Sequence, residues 1–257
     1  MQLNFGAGDL FASLIRDASG AAIAVPTPVR IAGLQEMSLE FSGDIKEFHG
    51  QQRFPLAVAQ GKVKVGGKFK GAIIAGQHLN TLFFGSGLTS GTMRSIVAPT
   101  TLVAIPATPF QITPTIPNSG TWTEDLGVVD NLGLTMTRVA SGPAAGQYSV
   151  AAGVYTFASA DNVAGKTVAI SFAYTFTQAA ARRIQLQNLA MGETPAIKIN
   201  YRNRFQGRDC VVVLESVISS KLALLAAKND DYSVPEIDFS AQADASGLTV
   251  GDIYMAE

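Results

Sequence analysis

Charge is scarce in this chain. Asp, Glu, Lys and Arg together make only 15% of its 257 residues, well under the quarter usual in soluble domains. Cysteine is almost absent. Cys210 stands alone, which excludes an internal disulfide, and ahead of Val211-Val212-Val213 it reads as a small core residue. The only histidines are His49 and His78. With one cysteine they make no closed zinc set, and no Gly-x-Ser-x-Gly elbow accompanies them. Both read as surface residues, His49 in a projecting loop and His78 on a short helix. Trp122 is the sole tryptophan, too little aromatic surface for a typical sugar cleft. No apolar run approaches the ~18–20 residues of a membrane helix. Met1–Gly8 lacks the basic-then-apolar order of a secretory signal. The formal net charge is −1 and no segment is strongly basic, so no tight electrostatic grip on nucleic acid is implied.

Apolar residues, by contrast, reach 47%. A chain this apolar, without a membrane helix, is either an apolar-rich monomer or a subunit that buries surface in an assembly. Its few charges are not scattered. In Leu34–Asp44 the even positions are polar and include Glu36, Glu40 and Asp44, while Met37, Leu39 and Phe41 are apolar. In Lys62–Gly71 the even positions carry Lys62, Lys64, Lys68 and Lys70, with Val63, Val65, Gly67 and Phe69 between them. Period-two alternation predicts two strands, each with a dry face and a charged face. Antiparallel pairing with a residue sum of 104 sets Glu36 against Lys68 and Glu40 against Lys64. A sum of 106 sets Glu36 against Lys70 and Asp44 against Lys62. Either register adds roughly 0.2–1 kcal/mol per opposed pair and resists a one-residue slip.

Gly43–Gly61 separates the ladders, holds the apolar run Phe54–Val58, and reads as a projecting loop too long for a tight turn. Leu10–Arg16 suits a helix face or a strand and ends at the turn cluster Asp17-Ala18-Ser19-Gly20. Gln77–Phe84, with Leu79, Leu82 and Phe83 at i, i+3 and i+4 and Gly85 beyond, predicts a short helix. Gly85–Pro99 reads as loop. From about Thr100, prolines punctuate strand-like segments: Thr121–Val129, Leu134–Val139, Gln147–Val150, Val154–Phe157 and Thr167–Thr177. Gln178–Gln187 reads as a connector. Ile197–Phe205 and Cys210–Ile218 flank a turn as a hairpin, Lys221–Lys228 reads as strand, and Ile237–Ala243 with Leu248–Met255 closes the chain. These segments predict a mainly β protein: two packed antiparallel sheets and one short flanking helix, built from 1–99 plus 179–257, with a β-rich insertion at 100–178.

Four groups of residues invite a chemical reading. Ala160–Thr167 matches a loose phosphate-loop pattern, but a phosphate cradle must open a helix, and the alternation of Thr167–Thr177 predicts a strand there. Asp230, Asp231, Glu236 and Asp238 cluster, but their spacing is not that of a calcium loop and Pro235 interrupts it, so a solvated loop is expected. Lys198, Arg202 and Arg204 make a short basic face without interleaved exposed aromatics, which reads as solvated or as interface. The two histidines complete the group.

Three stretches carry a family resemblance. The first runs through Leu34-Gln35-Glu36-Met37-Ser38-Leu39-Glu40-Phe41, Lys46–Ala59 and Gly61-Lys62-Val63-Lys64-Val65. The second is Asp125-Leu126-Gly127-Val128 through Gly146–Val150 and Gly153–Phe157. The third is Lys228–Tyr232 to Pro235–Ser240. Together they resemble bacteriophage major tail tube proteins over most of the chain. The resemblance implies a structural virion protein, no enzyme and no cofactor or metal. Six copies would close into a ring, and rings would stack into the tail tube through which DNA is ejected. It would be assembled in the bacterial host cytoplasm and found in the virion tail. Implied partners are other copies, the tape measure protein, the tail terminator and tail tip or baseplate proteins, with DNA passing without sequence-specific binding and no membrane insertion of the subunit. The polar face of Glu36, Glu40, Asp44, Lys62, Lys64, Lys68 and Lys70 would then be a candidate lumen wall. His49, Gln51, Arg53, Phe54, Pro55, Leu56 and Val58 would form the ring-to-ring loop, and 100–178 would face outward. A fibre, capsid-decoration or adhesin domain is the alternative.

Overall fold

A computed structural model describes residues 6–72, 75–224 and 232–255. In chain order its elements are β1 (Asp9–Arg16), β2 (Pro28–Ile31), β3 (Leu34–His49), β4 (Pro55–Gly71), α1 (Gly76–Leu79), β5 (Thr89–Val97), β6 (Val103–Ala104), β7 (Gln111–Ile112), β8 (Thr121–Asp130), β9 (Thr137–Arg138), β10 (Gln147–Ala151), β11 (Val154–Phe157), α2 (Ser159–Val163), β12 (Thr167–Arg183), β13 (Ala196–Phe205), β14 (Arg208–Ala223), β15 (Glu236–Gln242) and β16 (Gly251–Met255). The protein is mainly β, as the alternation predicts.

The chain divides into two compact units, Met1–Leu88 with Ile184–Glu257, and Thr89–Arg183. The second is wider at both ends than the 100–178 expected. Two segments account for the difference. Thr89–Val97, rich in Gly, Ser and Thr and expected as loop, is β5. It pairs with β12, which runs on to Arg183 through the expected connector.

In the first unit all eight strands join one antiparallel sheet in the order β2-β1-β13-β14-β15-β4-β3, with β16 also along β14. Leu10–Arg16, ambiguous by pattern, falls in β1, where its pairing with both β2 and β13 decides for strand over helix. The sheet folds back so that one face encloses the core. Leu10, Ile197, Ile199, Leu214 and Val217 meet Phe69, Ile237 and Phe239 in a single buried cluster. The two ends of the strand order, β2 and β3, are separated in sequence only by Ala32-Gly33, and the Ala72 N–H donates to the Gly33 carbonyl at 2.8 Å. Gly67 is obligatory here. A Cβ at that position would lie 2.3 Å from the Ser38 carbonyl oxygen and 2.6 Å from the Phe239 ring, and that ring packs on Phe69 at a centroid distance of 6.1 Å. The expected short helix is present as α1 followed by a π-helical turn, Asn80–Phe84, which places Leu82 in the core and ends at Gly85 in the left-handed region (φ 59°). His78, expected at the surface, is half-buried instead. It lines a small cavity with Ile31, Phe69, Leu82 and Ile237, and its Nδ1 has no partner. Cys210 is buried. Lys221–Ala223 ends β14, while 225–228 of the expected Lys221–Lys228 strand lies outside the described residues.

The second unit packs two sheets on each other. One is β7-β11-β10-β9, and the other holds β12 with β5, β6 and β8. Val168, Ile170, Phe172 and Tyr174 alternate down β12 and meet Val128, Tyr148, Tyr155 and Phe157 in its core. The Asp125 carboxylate is almost fully buried and accepts from the Tyr148 hydroxyl at 2.7 Å, the Tyr155 hydroxyl at 3.1 Å and the Gly127 N–H at 3.1 Å. Burial, and then the neighbouring Asp125, push the Tyr148 phenol far up. Burial is the main cause that pushes Tyr155 up to about 12. A phenol held protonated in the fold but free to ionise when unfolded stabilises fully below its unfolded value of about 10 and loses that contribution as pH climbs past it. The resistance of this unit to urea should therefore fall steeply between about pH 10 and about pH 12. The double variant Tyr148→Phe, Tyr155→Phe should flatten that fall, as read by near-ultraviolet circular dichroism.

The phosphate-loop reading of Ala160–Thr167 meets a different geometry. Here α2 precedes the glycine, and β12 follows it. The Lys166 ammonium lies 3.0 Å from the Asp161 carboxylate, which is itself 1% exposed and accepts twice from the Gly146 N–H. The lysine is committed to a structural pair.

Candidate interaction surfaces

The two ladders pair as β3 and β4 with a residue sum of 106 near the sheet: Glu36 faces Lys70, Ser38 faces Lys68, Glu40 faces Gly66 and Ser42 faces Lys64. The alternative sum, which would set Glu40 against Lys64, is not the one adopted. The register shifts between Gly43 and Ile45, and among the described residues no ion pair joins Asp44 to Lys62. Glu36 instead bridges two cations, Lys70 at 2.7 Å and Lys68 at 3.2 Å. Hydrogen bonding from Lys70 is the main cause that holds the Glu36 carboxyl below its ordinary range, and Glu36 in turn raises Lys70.

The ladder extends further than the two segments suggested. Glu236 and Asp238 are not a solvated loop. They lie on β15, directly beside β4, where Glu236 pairs with Lys70 at 3.4 Å and both carboxylates approach Lys221 on β14, at 3.7 and 3.6 Å. Across the rest of the sheet Lys198 meets Glu215 at 2.7 Å, Arg202 and Arg204 converge on Asp209 at 3.2 and 3.6 Å, and Arg30 meets Asp9 at 2.6 Å. The basic face of Lys198, Arg202 and Arg204 is thus compensated by its neighbours. Opposite charges on adjacent strands tie the outer face together almost from edge to edge, with carboxylates and cations nearly in balance. Asp230 and Asp231 lie outside the described residues.

A carboxylate held low stabilises above its unfolded range and loses that contribution as acid protonates it. An ammonium held high loses its contribution only as pH rises through its own range. The Glu36–Lys70 contact therefore holds across neutral pH. Glu36→Gln should leave the fold intact, speed amide exchange at Met37–Glu40, and remove the acid-induced part of that exchange below about pH 4. Exchange rates equal to those of the unaltered protein would refute the assignment.

Beyond the sheet, the expected Gly43–Gly61 loop is not a loop. β3 continues to His49 and β4 begins at Pro55, so the ladders form one long hairpin whose connection is only Gly50–Phe54. Every residue from Glu40 to Phe54 is exposed. The distal ribbon carries large apolar side chains in water: Phe48 at 67%, Phe54 at 78%, Leu56 at 65% and Val58 at 59% exposure. Gln51, Gln52 and Arg53 sit at its tip, Pro55 opens the returning strand, and His49 pairs with Glu47 at 2.9 Å. The eight residue-to-residue steps from Phe41 to His49, at ~3.4 Å each, carry the tip roughly 27 Å beyond the sheet.

At the base of the arm the dry face of the sheet stays open as a groove of about 380 Å³. Leu39 and Phe41 form one wall, Tyr201 and Val212 the other, and Ile253 and Met255 line the rim with about half of their surface exposed. Among the described residues no group of three or more His, Cys, Asp or Glu is arranged to hold a metal, and no helix is long and apolar enough to cross a membrane. No protein-family model matches the chain, and no curated protein sequence matches it.

Proposed function

We propose that this chain is a structural subunit that assembles with copies of itself, and specifically that it forms the stacked six-fold rings of a bacteriophage tail tube. The observation that carries the reading is the exposed apolar arm. An isolated two-stranded ribbon is at best marginally stable in water, and four large apolar side chains exposed over the two faces of one ribbon, Phe48 on one and Leu56 and Val58 on the other, are surface that soluble monomers seldom leave uncovered. Burying each is worth about 1.5–3 kcal/mol. That total is comparable with the ~4–15 kcal/mol lost on association, so one arm alone binds weakly. Six arms engaging together convert that weak contact into avidity, which favours a ring over a pair.

The charged face fits the same role. A conduit for DNA must not hold it, because each neutralised phosphate adds affinity. A wall on which Lys70, Lys221, Lys198 and Arg202 are each answered by a carboxylate on a neighbouring strand is wet and polar yet nearly field-free. In this reading Glu36, Lys68 and Lys70 face the lumen and Gln51–Val58 reaches the adjacent ring. Tape measure, terminator and tip or baseplate proteins are the partners such a tube takes, with the virion tail as its location. Electron microscopy of the purified chain tests the proposal. Six-fold rings or tubes are expected; monodisperse monomers at tens of micromolar would overturn it and favour a fibre, decoration or adhesin domain.

A further inference from the structure

We propose that the groove at the base of the arm is the receptor for the arm tip of a second copy, with Asn203 as its polar anchor. This rests on the self-assembly reading and adds where the arm lands. Asn203 lines the groove and is 3% exposed. Its Nδ2 donates to the Gly6 carbonyl at 2.8 Å and lies 3.3 Å from the Tyr201 hydroxyl, but its Oδ1 is buried without any partner. A buried acceptor left unpaired is costly, and in a groove lined mostly by apolar side chains it marks a place for one incoming donor. The occupant must therefore be mainly apolar and carry a hydrogen-bond donor.

The tip meets that description. Phe54 and Leu56 are large apolar side chains left exposed there, and Gln51 and Gln52 bring amide donors beside them. Its own groove is out of reach. The hairpin leaves the sheet from the groove wall at Phe41 and runs roughly 27 Å away from it, so the tip that fills a groove belongs to another molecule. A knob on one surface and a pocket on another make a head-to-tail contact. Such contacts propagate from copy to copy instead of closing into a two-fold dimer, as a stack of rings requires.

The test uses the full chain with Phe54 replaced by photoreactive benzoylphenylalanine, mixed with an equal amount of isotopically heavy, otherwise unaltered protein. After assembly and irradiation, mass spectrometry locates the attachment. Light-to-heavy crosslinks into residues 37–41, 201–212 or 253–255 are expected. Crosslinks between copies that fall elsewhere overturn the groove while leaving arm-mediated assembly standing. Assembly with no crosslink between copies overturns both, and an unaltered protein that stays monomeric removes the assembly reading itself. A second variant, Ile253→Arg, places a charge on the exposed rim of an edge strand. It should lower the assembled fraction at least tenfold without changing the thermal midpoint, and this reading serves equally if the photoreactive variant fails to assemble. Unchanged assembly would overturn the proposal.

Discussion

Replacement of Glu47–Val58 by a two-residue Asn-Gly turn, which rejoins the paired Lys46 and Ala59, should reduce formation of the proposed tubes to background while leaving the subunit folded. The segment contributes no side chain to the buried core cluster of its unit, and its removal shortens a ribbon that is exposed from Glu40 onward. Asn-Gly supplies the left-handed backbone that a two-residue hairpin needs. Circular dichroism and the thermal midpoint should match those of the intact chain within error. Electron microscopy should show single rings or free subunits and no tubes. Tubes of ordinary length would remove the arm from the assembly contact, whatever the sheet face does.

The second large effect is confined to the other unit. Asp161→Ala should cost roughly 3–5 kcal/mol, because it strands the Lys166 ammonium and the Gly146 N–H that the carboxylate now satisfies. Lys166 retains some exposure and is also 3.9 Å from Asp130, which moves the expectation to the lower end, about 3 kcal/mol. For a unit spanning Thr89–Arg183 that corresponds to a fall of roughly 12–24 °C in its melting transition. Lys166→Met, which leaves the nearly inaccessible Asp161 carboxylate with only the Gly146 N–H, should fall at least as far. Calorimetry with the second transition unmoved in Asp161→Ala would refute the role assigned to the pair.

Strand existence was legible where alternation was strong. Glu36, Glu40 and the lysines on one parity, with Met37, Leu39, Val63 and Val65 on the other, predicted both strands of the arm base, and one of the two candidate registers, Glu36 against Lys70, is the one adopted. What hid the rest was turn chemistry read locally. Gly43, Gly50, Pro55 and Gly61 within one stretch suggested a loop, yet cross-strand hydrogen bonding carries the ribbon through Gly43 and Gly61 and leaves only Gly50–Phe54 outside it. Thr89–Val97 looked like a loop for the same reason, and only its pairing with the long β12 makes it a strand. Glu236 and Asp238 followed other acids and Pro235, so their place in the ladder showed only once β15 was seen beside β4. The groove was the least legible feature. It joins residues near 40, 200 and 255, and no local pattern announces a contact of that sequence separation.

The anchoring of the arm has a mechanical consequence. β4 is not a free flank of the hairpin. Over Val65–Lys70 it is hydrogen-bonded to β3 on one side and to β15 on the other. A pull on the tip along the ribbon therefore runs parallel to these strands and loads both ladders in shear, so their bonds share the force and must fail together. A pull across the ribbon would open them singly from the end. The arm is stiff against axial tension and compliant sideways, the pairing of properties found in a tether that lets a column bend without coming apart.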